Sequence, residues 1–415
     1  MPKNLPVSPW RVLIPVGLGT SLSLIGDASL YVVLPTHLAE AGVSLVGVGI
    51  LLSANRFIRL LLNGPAGLAY DRWPRRYLFV PALFIGAIST AIYALTQGFW
   101  PLLIGRLLWG LAWAGIWVGG NTIILDITRD DNRGRWVGIY QVFFFLGASS
   151  GVMVGGLLTD WLGYHPAMGV GAGLTFLGAI IALVFLPETR DLRQTASLDL
   201  NDTSPQPVNL VRPARRGELA SAFALLGVSR LAVAGILLST FSLFLSQQFG
   251  DSIHMAGRSF GVATLTGVGL GLTTLVSMAA APAMGRLSDH LTNRWQVAAG
   301  GLMPGVAGFS LLAFGLPTTI ILGLPLTAIA SGSSQGLATV LVGDLSGARQ
   351  HGRRLGMLFT IGDLSSAIGP PLAYALLPWL GLGRVYLIGA GLYALMFVFA
   401  LQFALAGSVP RRLWD

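Results

Sequence analysis

The sequence predicts an all-α integral membrane protein of twelve transmembrane helices in two six-helix, pseudo-symmetric halves. Three observations predict it. Hydrophobic residues make up 53% of the 415 and charged residues only 10%, where a soluble domain carries about 25% charge. Apolar runs of about 20 residues, long enough to cross a bilayer as helices, recur from end to end. Landmarks of the first half also return at one constant offset of 218 positions. Gly67 and Asp71 return at Gly285 and Asp289, Asp126 at Asp344, Gly134-Arg135 at Gly352-Arg353, Gly138 at Gly356 and Gly151 at Gly369.

The spans are expected near 12–38, 45–69, 77–97, 101–125, 136–160, 166–187, 219–246, 258–283, 295–315, 317–341, 355–379 and 384–406. Met1 to Pro9 is short and polar, and the first apolar run is too long for a signal-peptide core, so it is expected to stay as the first helix. Residues 188–218 form one long polar segment with Arg190, Arg193, Arg212, Arg215 and Arg216. That composition reads as a partly disordered cytoplasmic linker between an N-terminal half, 1–187, and a C-terminal half, 219–415. With the N-terminus inside, inner loops and tails hold 20 of the 26 Lys and Arg, and outer loops hold two, Arg258 and Arg384. This asymmetry places both termini in the cytoplasm. The net charge of +9 therefore reports topology, not a nucleic-acid surface.

Between the second and third spans stands Gly67-Leu68-Ala69-Tyr70-Asp71-Arg72-Trp73-Pro74-Arg75-Arg76. It reads as a short cytoplasmic hairpin in which small Gly67 allows close helix approach. Asp71 accepts hydrogen bonds and the Arg cluster holds the loop inside. The stretch resembles the G-x-x-x-D-R-x-G-R-R loop of the major facilitator superfamily, with Gly67, Asp71, Arg72, Arg75 and Arg76 matching and Pro74 replacing the second Gly. Gly285-Arg286-Leu287-Ser288-Asp289 is a weaker echo. In the fifth span Gly138, Gly147, Gly151, Gly155 and Gly156 resemble the glycine motif of the antiporter branch, with Val152 in place of its Pro. Gly at this spacing also lets helices pack closely. In the first span Gly26-Asp27 through Leu34-Pro35 resembles the drug-exporter pattern. Leu186-Pro187-Glu188-Thr189 resembles a common ending of the sixth helix and marks a helix end, not a site. The resemblance implies two parallel six-helix halves and points to the drug/proton antiporter branch.

Six charges lie inside the spans: Asp27, Arg56, Arg59, Arg106, Arg230 and Asp363. Each costs about 3 kcal/mol at the bilayer centre, so together they must pair or line a wet cavity. Asp27 shares a helix face with Thr20, Ser23 and Tyr31. An isolated carboxyl there binds and releases protons; a permanently paired one is structural. Arg106, in Gly105-Arg106-Leu107-Leu108-Trp109-Gly110, resembles a further family motif. It either clamps helices through carbonyls or modulates Asp27. Trp109, Trp113, Trp117 and Asn121 follow it at helical spacing, and this stripe is expected to face the cavity. Ser53, Arg56, Arg59 and Asn63 share a face of the second span, Arg230 is a third buried cationic site, in the seventh span, and Asp363 is the second deep carboxyl, in the eleventh. The proton-coupling residues are thus Asp27, Arg106 and Asp363. The expected substrate cavity contains Tyr31, Arg56, Arg59, Trp109, Trp113, Trp117 and Arg230. With four Arg against two Asp, the cavity suits an anionic or zwitterionic amphiphile. By resemblance, Asp126 with Arg72, Arg75 or Arg135, and Asp344 with Arg353 or Arg354, form cytoplasmic gates together with Gly67, Asp71, Arg76 and Asp289. Taken as exposed pairs, these are worth under about 1 kcal/mol each, as suits a gate.

The resemblance implies a secondary transporter working by alternating access, with proton-coupled efflux of a small amphiphilic or anionic/zwitterionic compound as the favoured activity. Two alternatives stay open: an uptake symporter or facilitator of an organic anion, and a transport-inactive sensor or scaffold. There is no P-loop, H-E-x-x-H or nucleophile elbow, and Cys is absent, so neither an enzyme nor a cofactor or metal is expected. The expected partners are a small-molecule substrate, the proton (with Na⁺ as the alternative) and the lipid bilayer. The expected state is a monomer in the cell (inner or plasma) membrane.

Overall fold

The computed structural model describes residues 8–128, 132–190, 217–255, 258–291, 293–346 and 351–407. Helix α1 (Pro9–Val33) opens with proline in its first turn, where the missing N–H is no loss. The short α2 (Leu38–Ala41) closes on Gly42 at φ 66°. Helix α3 (Leu45–Arg72) is capped by the Ser44 side chain, which accepts from the Gly47 N–H at 3.3 Å. Then follow α4 (Arg75–Leu95), α5 (Phe99–Asp126), α6 (Arg133–Leu162) and α7 (Tyr164–Phe185). Helix α8 (Glu218–Phe249) carries a π-helical stretch at Arg230–Leu237. Strands β1 (Ser252–Met255) and β2 (Arg258–Gly261) pair antiparallel before α9 (Val262–Asp289), α10 (Arg294–Phe314), α11 (Pro317–Asp344) and α12 (His351–Gly407).

Eleven of these helices are long and apolar enough to cross a membrane. The twelfth span lies within α12. Its 57 residues would extend about 85 Å as one rod, nearly three hydrocarbon thicknesses. At Gly381 the backbone takes φ 71° and ψ 163°, so α12 is two helices meeting at a residue that only glycine makes cheaply. Trp100, Trp161 and Trp379 are 72%, 74% and 82% exposed at helix ends, as aromatic residues are at a membrane interface. The internal repeat persists in element lengths. Helices α3, α4 and α5 have 28, 21 and 28 residues, and so do α9, α10 and α11.

The chain forms two compact units, Met1–Gln206 with Leu245–Gly271, and Pro207–Phe244 with Leu272–Asp415. In the first unit α1 packs on α6 and α7, α4 on α5 and α7, and α3 on α5. Its core gathers Tyr70, Phe79, Leu83, Trp109, Ile116 and Tyr140. In the second unit α10 packs on α11 and α12, and α12 on α8.

The stretch 67–76 is a tight helical hairpin: α3 continues to Arg72, leaving Trp73 and Pro74 as the turn. One span boundary is corrected. The eighth span does not begin at 258, because residues 258–261 are strand β2. Residues 245–271, expected with the C-terminal half, group with the first unit. There small residues meet α6 closely: a Cβ on Gly267 would lie 3.1 Å from Met153 Cα, and the Ser149 hydroxyl donates to the Gly271 carbonyl at 3.0 Å. Of the expected linker, residues 191–216 lie outside the described residues.

Candidate functional site

Close helix approach builds the first site. A Cβ on Gly26 of α1 would lie 2.9 Å from the Thr90 methyl and 3.1 Å from the Gly171 carbonyl. A Cβ on Gly105 of α5 would meet the Tyr93 ring and lie 3.3 Å from the Ser89 carbonyl. With α1, α4 and α5 this near, Arg106 reaches across to its partners on α1 and α3. It is 0% exposed. Its Nε donates to the Leu51 carbonyl at 2.9 Å, its Nη1 to the Asp27 carboxylate and its Nη2 to the Tyr31 hydroxyl at 3.1 Å. Tyr31 donates in turn to the Leu52 carbonyl at 3.2 Å. The guanidinium carbons of Arg56 and Arg106 lie 5.2 and 5.4 Å from the Tyr31 ring centroid, so one ring serves two cations. Ser53 Oγ and Asn55 Oδ1 are buried beside Arg56 in sequence and find no hydrogen-bond partner among the described residues.

Arg106 thus bonds a backbone carbonyl and the Asp27 carboxylate with one side chain. Asp27 is not isolated: it is 7% exposed and ion-paired. Thr20 and Ser23 on its face are fully buried, and Thr20 shares a 3.2 Å hydrogen bond with Tyr140. Trp109 (1% exposed) and Trp113 (6%) belong to the core cluster, and the Trp109 ring lies 3.1 Å from where a Cβ on Gly86 would sit. The rings of Trp109, Trp113 and Trp117 stack at 6.0 and 5.8 Å, and half-buried Trp117 continues to Phe144 at 4.9 Å. Stacking on α5 and packing on α4 and α6 account for these indoles without a ligand. Arg59 and Asn63 are half-buried.

At the other end of the unit, Arg75 Nε donates to the Asp126 carboxylate at 2.9 Å, and Thr189 Oγ1 donates to the same oxygen at 3.3 Å. Arg75 Nη1 also donates to the Tyr70 carbonyl. The side chains are 5% and 0% exposed, so this is a buried pair, not the exposed, weak one expected. Of the candidate partners, Arg75 is the one found; Arg72 and Arg135 are exposed, and Arg135 lies 5.7 Å over the Trp136 ring. Asp71 is exposed, and nothing lies within 4 Å of a Cβ on Gly67 or Gly285, so neither is needed for close packing. Glu188, which the sequence reading took as a mere helix end, accepts from the backbone N–H groups of Arg75 and Arg76 at 2.9 and 3.0 Å. It thereby places a carboxylate on the N-terminus of α4.

In the second unit the partner of Asp344 is Arg294, which reading by motif overlooked. Its Nε lies 2.9 Å from the Asp344 carboxylate and its Nη1 3.1 Å from Asp289. The constant offset held the signal, since Arg76 maps onto Arg294. Arg353 is exposed, and Arg354 donates to the Leu345 carbonyl. Arg230 Nη2 donates to Gln335 Oε1 at 3.0 Å where the π-helical stretch begins, and Asp363 is half-buried. Buried Glu218 accepts from Trp295 Nε1 at 2.9 Å.

Four of the five motif glycines sit at close approaches. Gly147, Gly151 and Gly155 meet the α1 backbone at Ser21, Ile25 and Ser29, and Gly156 meets Ala263. Gly138 has nothing within 4 Å, so its expected packing role is corrected. A run of glycines every fourth residue gives α6 a flat seam for α1.

A family model described as Major Facilitator Superfamily matches residues 16–274 and 223–412, which together span nearly all of the chain. The chain belongs to the Major Facilitator Superfamily. It is 27% identical over 359 residues to the tetracycline resistance protein, class E, of Escherichia coli, covering 84% of each chain. It is 24% identical over 398 residues to the class B protein of the same organism, covering 93% of this chain and 94% of that one. Among solved structures, a bacterial homolog of the human lysosomal transporter Spinster, inward-facing and occupied, aligns with a TM-score of 0.75 at 18% identity over 97% of both chains. Membership makes this a multi-pass membrane transporter for a small molecule and not an enzyme.

Proposed function

We propose that this transporter exports a small amphiphilic, anionic or zwitterionic compound in exchange for protons, by alternating access. The observation that carries the reading is the Asp27–Arg106–Tyr31–Arg56 cluster, a carboxylate and two guanidiniums on one tyrosine inside the bilayer span. In this reading a substrate's anionic group engages Arg56 and Arg59. Its donor group competes with Arg106 for Asp27. Protonating Asp27 removes that attraction and releases the substrate, which is the linkage an antiporter needs. Asp363 is a second proton site. The resemblance to two resistance proteins supports export, and the Lys and Arg distribution supports an inner or plasma membrane location with both termini cytoplasmic. The Arg75–Asp126 and Arg294–Asp344 pairs, with Arg76 and Asp289, act as the cytoplasmic gate.

One observation favours a second reading, symport of an organic anion. Protonating Asp27 removes the counter-charge of Arg106 beside the Tyr31 ring, which would draw a proton and an anion in together.

The test is purified protein in liposomes containing a pH-sensitive dye, with anionic, zwitterionic and cationic amphiphiles added in turn. Substrate-dependent proton movement opposite to substrate, lost in Asp27→Asn, supports exchange. Movement in the same direction supports symport. Substrate flux without proton movement, unchanged in Asp27→Asn, overturns coupling through Asp27.

A further inference from the structure

Helix α8 carries a surplus residue. Over Arg230–Leu237 it is π-helical, and the stretch closes with the Leu238 N–H donating to the Val233 carbonyl, five residues back. The constant offset maps 230–237 onto 12–19, which run as α-helix inside α1. The same place in the repeat is thus α-helical in the first unit and π-helical in the second. Side chains hold both ends of the stretch. At one end Arg230 Nη2 donates to Gln335 Oε1 of α11 at 3.0 Å, and the Ser229 hydroxyl donates to Ser331 Oγ at 3.4 Å. At the other end the Ser239 and Thr240 hydroxyls donate to the Ile236 carbonyl at 3.1 and 2.8 Å. From α12 the Tyr374 hydroxyl donates to the Ser239 carbonyl at 2.7 Å, and Tyr386 shares a 3.2 Å hydrogen bond with Thr240. All four of these hydroxyl-bearing residues are buried. Inside a bilayer such donors replace the ones that an interrupted helix ladder loses. Between the two ends a Cβ on Gly235 would lie 2.8 Å from the Gly369 Cα, so α8 meets α12 there backbone against backbone.

We propose that Arg230–Leu237 is a one-residue register switch inside the second unit, passing between π-helix and α-helix during transport. It goes beyond the exchange reading and does not depend on the coupling ion. Conversion to α-helix absorbs the surplus residue. Glu218–Ser229 then turns by about 100° and moves by about 1.5 Å against the rest of α8, one residue's worth of helix. Leu231 takes the place that Arg230 holds now, so the guanidinium leaves Gln335, and Ser229 leaves Ser331. The Gly235–Gly369 contact is the bearing, since two bare backbones have no interlocking side chains to resist the turn. Ser239, Thr240 and Tyr374 are the latch on the fixed side, and Arg230 with Gln335 is the latch on the moving side.

The experiment uses the full chain, whose lack of cysteine lets two spin labels be placed at will. Labels on Ala220→Cys of α8 and Met303→Cys of α10, both exposed positions, read the turn as a distance. The expected result is two distances about 5 Å or more apart, from a turn of about 100° at a side-chain radius of about 5 Å. Tyr374→Phe and Thr240→Val each remove one latch hydroxyl, and each should shift the two populations about threefold, the effect of one lost hydrogen bond. A single distance in the otherwise unaltered chain and in both variants overturns the switch. A second arm closes a disulfide between Ser229→Cys and Ser331→Cys in liposomes, with 1-anilinonaphthalene-8-sulfonate as the anionic probe. That bond lies inside one unit, so two halves rocking as rigid bodies tolerate it and a register switch does not. Probe flux is expected to fall about tenfold on oxidation, an added barrier of about 1.4 kcal/mol, and to return on reduction. Undiminished flux through the oxidised protein overturns the switch. A wild type that moves no probe overturns the anionic-substrate reading, and the paired labels then decide the switch by themselves.

Discussion

Arg106 reaches the Asp27 carboxylate and the Leu51 carbonyl with one guanidinium, tying α1, α3 and α5 together through a side chain that no solvent touches. Removing one partner of such a pair strands the other charge in a dry interior, typically at a cost of 3–5 kcal/mol. Arg106→Gln is therefore expected to lower the thermal midpoint of the purified protein more than Asp27→Asn, which leaves Arg106 its carbonyl and hydroxyl acceptors. The double variant should recover part of the loss. Thermal scans of all three in one detergent check this, and equal midpoints for the three would remove the pair from the stability of the fold.

Glu188 holds the N-terminus of α4 through two backbone N–H groups, and Thr189 adds a bond to Asp126. Glu188→Ala should cost about 0.5–2 kcal/mol, the range of a lost helix cap. Its effect should shrink when Asp126→Asn is already present, because both loosen the same corner. A double-mutant cycle on unfolding measures that coupling. Strict additivity would show that the two sites act apart.

The seam glycines give opposite expectations within one motif. A Cβ on Gly151 would come within 2.9 Å of the Ile25 Cα, where backbone cannot yield, so Gly151→Leu should abolish transport or folding. Gly138 faces open space inside α6, so Gly138→Ala should retain transport and gain about 0.5–1 kcal/mol from restricted unfolded-chain freedom. Transport assays with thermal scans of both variants decide the matter.

The twelve apolar spans, the repeat and the deep charges were legible because bilayer insertion forces them into composition and period. What was hidden depended on distance between helices. Asp27 and Arg106 were each visible as costly residues, but nothing in the one-dimensional pattern says that α1 and α5 approach closely enough to join them. The Trp stripe shows the same limit: its spacing fixes a shared face, and the packing of Trp109 on Gly86 of α4 is a matter of distance between helices. Arg294 was within reach, since the offset that aligned Asp126 with Asp344 also aligns Arg76 with Arg294.

Arg56 is 6% exposed, with its guanidinium over the Tyr31 ring, while the Asp27 carboxylate is paired with Arg106. Neutralising Arg56 should leave the Asp27–Arg106 pair standing and change what the cluster attracts. Arg56→Gln is expected to slow transport of anionic substrates about tenfold, the effect of roughly 1.4 kcal/mol in binding, while cationic ones are unaffected or faster. Rates for matched anionic and cationic amphiphiles in the same liposomes test this. An equal loss for both charges would mean that Arg56 supports the helices around Tyr31 and does not select the substrate.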